Sequence, residues 1–355
     1  MSLSKFNSKK RSTFNAFTRS FENSKNSEQL QTLPKDSEIK VLITRPNHRL
    51  GNQLLITPLI QEVKKQFPNS TIHLVLNGTL SSILFSNYSY VDKVFNLPKK
   101  PFKNIFNYLK QSVALLFKTY DIAIAGCESS NSSKIYVKLS RARFKIYNSG
   151  TTQVNKPGHI AQYPLYNFKT FLNPSEDLSV YDYPKLSIKL SDKEIEQGHL
   201  ILRKLFNNDK KTICIFTFAT RAKCHSKTWW SEFYERLKTE FGDFNILEML
   251  PVENVSQIDF KSTHFYSKDL REIASIIENS VVFIGADSGM MHLAASTNTT
   301  TLGLFNVTKS SIYGPYGGQN QSIDTNTAEI RDILKIVNAI VHQTAFINSS
   351  KIQTS

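Results

Sequence analysis

The run Val281-Val-Phe-Ile284, followed by Gly285-Ala-Asp-Ser-Gly289-Met-Met-His292-Leu-Ala-Ala, constrains the fold of this chain more than any other segment. Four apolar residues rich in β-branched and aromatic side chains read as a strand in a sheet interior. The turn-prone Asp-Ser-Gly ends it and opens a helix. Asp287 or Ser288 is placed to cap that helix, Gly289 lets a ligand approach the backbone, and His292 falls in the first turn. A helix opened this way leaves N–H groups free for an anion such as phosphate. An ordinary capped helix with a satisfied histidine carries the same pattern. The order Gly-x-x-Ser-Gly is not the Gly-x-Ser-x-Gly of a hydrolase nucleophile turn.

The strand–helix theme recurs along the chain. Val41–Ile43, Thr71–Leu76 and Tyr120–Ala125 read as strands, and Leu55, Leu59, Val63 and Phe67 recur at helical spacing up to Pro68. Further on, helices are expected at Asp192–Phe206, Trp229–Phe241, Leu270–Ile277 and Ala328–His342. Strands are expected at Thr212–Phe218, Asn245–Leu250 and Thr300–Phe305. Alternation of this kind means parallel sheets covered on both faces, so the expectation is α/β: two Rossmann-like doubly wound domains facing a cleft. The boundaries read as a disordered basic leader over 1–37, an N-terminal domain over 38–170, a connection over 171–187, a C-terminal domain over 188–325, a helix over 326–345 and a tail over 346–355. Ligands of such sheets bind beyond the carboxyl ends of the strands.

Length and composition fit two globular domains: 355 residues, 40% hydrophobic and 21% charged, with no apolar run near the ~20 residues of a membrane span. The polar N-terminus lacks the apolar core of a secretory signal, and three cysteines (Cys127, Cys214, Cys224) lack metal-ligand spacing; both point to a reducing, cytoplasmic setting. A net charge of +15 calls for a polyanionic partner: nucleic acid, anionic lipid or a phosphorylated substrate. No nucleic-acid recognition motif with interleaved aromatics is present, so nucleic acid is not expected.

In this order and spacing, Leu50-Gly-Asn-Gln-Leu-Leu-Ile-Thr-Pro58, Tyr120-Asp-Ile-Ala-Ile, Lys227-Thr-Trp229, Asp287-Ser-Gly-Met-Met-His292 and Leu304-Phe…Tyr313-Gly-Pro-Tyr resemble the family 9 glycosyltransferases, which include the lipopolysaccharide heptosyltransferases. The resemblance covers most of the chain from Lys40 to about Gly318 and implies the GT-B arrangement. It implies inverting transfer of a sugar from a nucleotide donor, ADP-heptose being the best known, to a lipid-linked saccharide at the inner face of the membrane. Thr220, Lys227, Glu253, Asp287, Ser288, Gly289 and His292 are then the donor-binding candidates, with Glu253 at the ribose. Backbone N–H groups and the helix start would steady the leaving diphosphate. No Asp-x-Asp pair occurs, so neither a metal nor another cofactor is expected.

One position departs from the resemblance. Family members commonly carry Gly-Asp where this chain has Gly51-Asn52, and that aspartate is the favoured general base; asparagine cannot accept the proton. Gly51, Asn52 and Glu128 are acceptor-side candidates. Asp287, His48 and Glu128 are candidate replacement bases, with Asn52 left to orient. Each has a plain structural alternative: a helix cap, a solvated loop histidine, a surface acid. The other reading is a sugar-nucleotide-binding relative that has lost catalysis and serves as a scaffold.

Finally, Lys99–Lys118 places Phe102, Ile105, Phe106, Leu109, Val113 and Leu116 on one helical stripe ringed by lysines, either a core helix or one lying on anionic lipid. A second basic cluster follows: Lys134, Lys138, Arg141, Arg143 and Lys145. Together they suit a protein peripheral to the inner membrane.

Overall fold

The computed structural model describes residues 22–24, 36–98, 113–115, 117–148 and 156–352, with side chains to His342. Its contacts fall into two compact units: 1–48 with 56–184, and 49–55 with 185–355.

The N-terminal unit is a five-stranded parallel sheet of β1 (Lys40–Thr44), β2 (Thr71–Asn77), β3 (Val91–Leu97), β4 (Thr119–Ala125) and β5 (Arg141–Ile146), in the order β3-β2-β1-β4-β5. Between β1 and β2 the chain forms α1 (Leu50–Leu54) and α2 (Thr57–Gln66). The later helices of this stretch are α3 (Leu80–Leu84), α4 (Asn131–Leu139) and α5 (Tyr163–Leu172). The helical spacing of Leu55, Leu59, Val63 and Phe67 is taken up by α2, which opens at Thr57 with Pro58 in its first turn, and the short α1 precedes it. Leu42, Val75, Phe95 and Ala123 pack in one core with Tyr136 and Val137 of α4, each large side chain contributing about 1.5–3 kcal/mol by burial.

The C-terminal unit holds β6 (Thr212–Phe216), β7 (Asn245–Met249), β8 (Thr263–Phe265), β9 (Val282–Ala286), β10 (Thr300–Phe305) and β11 (Gln321–Asp324). All pairings are parallel, in the order β11-β10-β9-β6-β7-β8. Its helices are α6 (Asp192–Phe206), α7 (Lys227–Glu240), α8 (Leu270–Glu278), α9 (Gly289–Ala294), α10 (Ser310–Tyr313) and α11 (Ile330–Ile352). α6 starts at a complete capping box of Ser191 and Glu194, and α8 at Asp269, which accepts from two backbone N–H groups. Renumbered from its own first strand, this sheet runs 3-2-1-4-5-6, the Rossmann order, of which the first sheet has 3-2-1-4-5, and each unit has one switch point: β1/β4 in the first, β6/β9 in the second.

Three details differ from expectation. β3, β5, β8 and β11 had no strand signal, and all four are sheet edges. The last helix runs on to Ile352, into the expected tail, since no Gly or Pro follows His342 to stop it. Within the leader, Asn23 and Ser24 lie along β5. Ser24 N–H donates to Lys145 O (3.0 Å), and the Asn23 side chain accepts from Tyr147 N (2.8 Å) and donates to Asn148 O (2.7 Å). Those residues satisfy backbone groups that an edge strand leaves open. The rest of the leader up to Lys35 lies outside the described residues. Of the lysine-ringed stripe, only Val113 is described; it is exposed, while its neighbour Leu115 is the residue that enters the core. Among the described residues, no helix is long and apolar enough to cross a membrane.

Candidate functional site

The second switch point collects most of the chemistry. β9 is buried along its whole length, and Asp287 N–H still bonds Leu304 O (3.2 Å), so the chain leaves the sheet only after Asp287. Ser288, extended at φ −152°, caps α9 by accepting from Met291 N at 3.3 Å. Of the two possible caps, Ser288 therefore holds the helix. Asp287 is freed to turn toward side chains: its Oδ2 accepts from Lys223 Nζ at 2.5 Å and from Thr308 Oγ1. Asp287 is only 8% exposed, so this charge is held by a cation in partial burial. Oδ1 takes no protein hydrogen bond among the described residues.

Lys223 comes from the short 3₁₀ turn Arg221–Lys223 after β6. The neighbouring candidates lie elsewhere. Thr220 is exposed just before that turn. Lys227 begins α7 behind the Ser226 cap, and its ammonium pairs with Asp259 at 2.5 Å, both side chains being more than half exposed. The pairing holds the Asp259 carboxyl below its ordinary range. Asp287 is thus met by Lys223, four residues before Lys227.

α1 groups with the C-terminal unit and packs on α9. A Cβ built on Gly51 would lie 2.5 Å from His292 Cδ2, and one on Gly289 would lie 3.1 Å from Leu50 Cβ. The two glycines allow helices α1 and α9 to touch and bring the His292 ring, buried at 6% exposure, against Gly51. Asn52, half-buried, is the next residue of α1. His48 is exposed and belongs to the other contact unit, as does Glu128, whose carboxylate is engaged by Lys156 at 2.8 Å. The structure therefore brings together Gly51, Asp287, Ser288, Gly289 and His292, whereas Lys227 pairs with Asp259, Glu128 with Lys156, and Thr220, Glu253 and His48 are exposed.

Glu253 is exposed on the loop after β7, and the carboxylate that organises this region is Glu248. Fully buried, it accepts from Thr217 Oγ1 (2.6 Å) and Ser256 Oγ (2.8 Å). Ser256 Oγ in turn accepts from Ile258 N and Phe260 N, and Thr217 Oγ1 from Gln257 N. Burial raises the Glu248 pKa. This network ties the loop after β6 to the loop carrying Glu253. The sequence signal for it is one acid inside the apolar run Ile246-Leu-Glu-Met-Leu250. Close by, His225 Nε2 meets Thr325 Oγ1 at 2.7 Å and its ring lies against Trp229, centroids 4.3 Å apart; burial pushes its pKa down to about 4. It is a neutral structural histidine. No group of three or more His, Cys, Asp or Glu among the described residues is arranged to hold a metal ion.

Two parallel sheets of Rossmann order, with a polar cluster at the second switch point, define a doubly wound α/β protein of the GT-B type. A family 9 glycosyl transferase from Veillonella parvula matches it with TM-score 0.70 and 16% identity, over 88% of this chain and 99% of its own. E. coli ADP-heptose lps heptosyltransferase II gives 0.61 and 15%, over 86% and 100%. Residues 170–334 match the model of glycosyltransferase family 9 (heptosyltransferase). Lipopolysaccharide heptosyltransferase 3 of Escherichia coli is 23% identical over 296 residues, 75% of this chain and 83% of its own length. Over residues 170–334 the chain is thus similar to glycosyltransferase family 9.

Proposed function

We propose that this chain is an inverting glycosyltransferase that moves a sugar, heptose or a related one, from a nucleotide-diphosphate donor to a lipid-linked saccharide such as lipopolysaccharide core, without a metal. The observation that carries the reading is the meeting of Lys223, Asp287, the Ser288–Gly289 turn and His292 at the β6/β9 switch point of a chain similar to family 9. The donor diphosphate lies against the turn, where backbone N–H groups, His292 and Lys223 offset the charge that grows as it leaves. The acceptor oxygen attacks the anomeric carbon from the opposite face. The bond to phosphate breaks with its electron pair going to the diphosphate, and the hydroxyl proton passes to a base. Asp287, with Oδ1 open, is the residue we assign to that proton; Asn52 orients the acceptor. Thr220, Lys227 and Glu253 stay on the donor side in this reading, on loops and a helix start that follow β6 and β7. The basic residues of α4 and β5 support a site of action on the anionic inner membrane surface.

The test is thermal unfolding of the full chain with ADP, UDP and their sugar nucleotides, followed by a transfer assay. A donor at a hundredfold its Kd stabilises by about 2.7 kcal/mol. If no nucleotide sugar moves the transition, the reading fails. Asn52 also favours a second reading, a binding subunit without catalysis. Donor binding with no turnover, and none gained by Asn52→Asp, would establish that one instead.

A further inference from the structure

Past the Asp287 cluster, a cavity of about 340 Å³ opens where β10 and β11 end. That is near the lower limit of the ~300–1,000 Å³ of small-molecule sites, room for one sugar-sized group. Its walls include Asn306, Thr308, Lys309, Ser310, Asp324 and Asn326. Asn326 uses Nδ2 on Asn306 O (3.0 Å) and Asp324 Oδ1 (2.9 Å), which leaves its Oδ1 as an acceptor. Asn306 donates Nδ2 to Ala222 O (3.1 Å), which likewise leaves Oδ1. The Thr308 hydroxyl, donating to Asp287, can still accept. Lys309 and Ser310 add donors.

This mixture selects a ligand class. A phosphate or carboxylate needs donors only and would meet the carboxylate of Asp324 and two amide oxygens. An apolar group would leave those oxygens unpaired, at a cost of roughly 1–3 kcal/mol each. A polyhydroxylated ring donates and accepts at every hydroxyl and satisfies both kinds of wall. The cavity is also joined to the proposed donor site twice, through Thr308 on Asp287 and through Asn306 on the turn that carries Lys223.

We propose that this cavity recognises the hydroxyls of the transferred sugar, and that Asn306, Lys309 and Asn326 set which sugar is accepted. The proposal rests on the donor reading above. Its test is calorimetric titration of the full chain with ADP, UDP, ADP-heptose, ADP-glucose and UDP-glucose, repeated for Lys309→Ala, Asn326→Ala and the cavity-filling Ser310→Trp. The expected result is that at least one nucleotide sugar binds wild type more tightly than its own nucleotide. All three variants then weaken that sugar nucleotide about tenfold while holding the bare nucleotide within twofold. Nucleotide sugars that bind all variants as they bind wild type, or that gain nothing over ADP or UDP, overturn the cavity assignment and leave the donor site standing. Equal weakening of nucleotide and nucleotide sugar overturns it too, since the cavity would then serve the nucleotide or the fold. If wild type binds none of the five probes, the donor reading itself fails and the proposal falls with it.

Discussion

At the carboxyl ends of β6 and β9, the C-terminal unit places a turn of Asp287, Ser288 and Gly289 beside Lys223. At the corresponding ends of β1 and β4, the N-terminal unit places Arg45, which is buried and donates Nη1 to Gly126 O at 2.6 Å. The strand orders agree over 3-2-1-4-5, so topology alone would offer both crevices to a ligand. What separates them is the few residues just past the strands. Arg45 turns its buried side chain onto the Gly126 carbonyl, whereas at the second switch point Asp287 meets a cation and Ser288 caps a helix. A shared order of central strands therefore carries different polar groups at its two switch points, and side chains at the strand ends make the difference.

The sharpest test of this contrast is a pair of variants. Arg45→Met should cost about 1–3 kcal/mol of stability by leaving the Gly126 carbonyl unsatisfied, with ADP affinity unchanged. Lys223→Ala should lower ADP affinity about tenfold, and the urea midpoint should fall as well because the buried Asp287 loses its cation. Exchange of those two phenotypes would reverse the assignment of the crevices. Next comes Gly51→Ala, which must push the His292 ring aside. Overpacking of this kind costs about 1–3 kcal/mol, and both the melting temperature and nucleotide affinity should fall together. Normal affinity in that variant would remove His292 from the donor site. The smallest effect is the pH response of the C-terminal unit. Burial depresses His225 to about 4 from an ordinary value of 6.5. Its contribution is therefore complete above about pH 6.5 and is lost as pH falls toward 4. His225→Asn should flatten urea-midpoint profiles between pH 7 and 5; an unchanged slope would show that another group titrates there.

Legibility followed burial. The central strands β1, β4, β6 and β9 are mostly apolar and buried because both of their faces are covered. The edge strands β3, β5, β8 and β11 carry charges or polar residues, as in Val91-Asp-Lys-Val and Gln321-Ser-Ile-Asp, so nothing in their periodicity set them apart from loops. In the site, the turn Asp287–Gly289 was readable from local chemistry. Lys223 and Glu248 were not: the first pairs across 64 residues of chain and the second holds a loop through Thr217 and Ser256. Lys227, the more conspicuous lysine beside Thr228 and Trp229, finds Asp259 on its own.

Sequence alone determined the α/β class, the buried strand before Asp287, the capped helix after it and the asparagine at position 52, since each depends on residues within a few positions of one another. Tertiary structure decided which lysine faces Asp287, that Gly51 lies against His292, that Arg45 turns onto the Gly126 carbonyl at the first switch point, and that a cavity lies beyond Thr308. Those outcomes depend on which strand ends become neighbours in the sheet, and strand neighbours are chosen by packing over the whole unit.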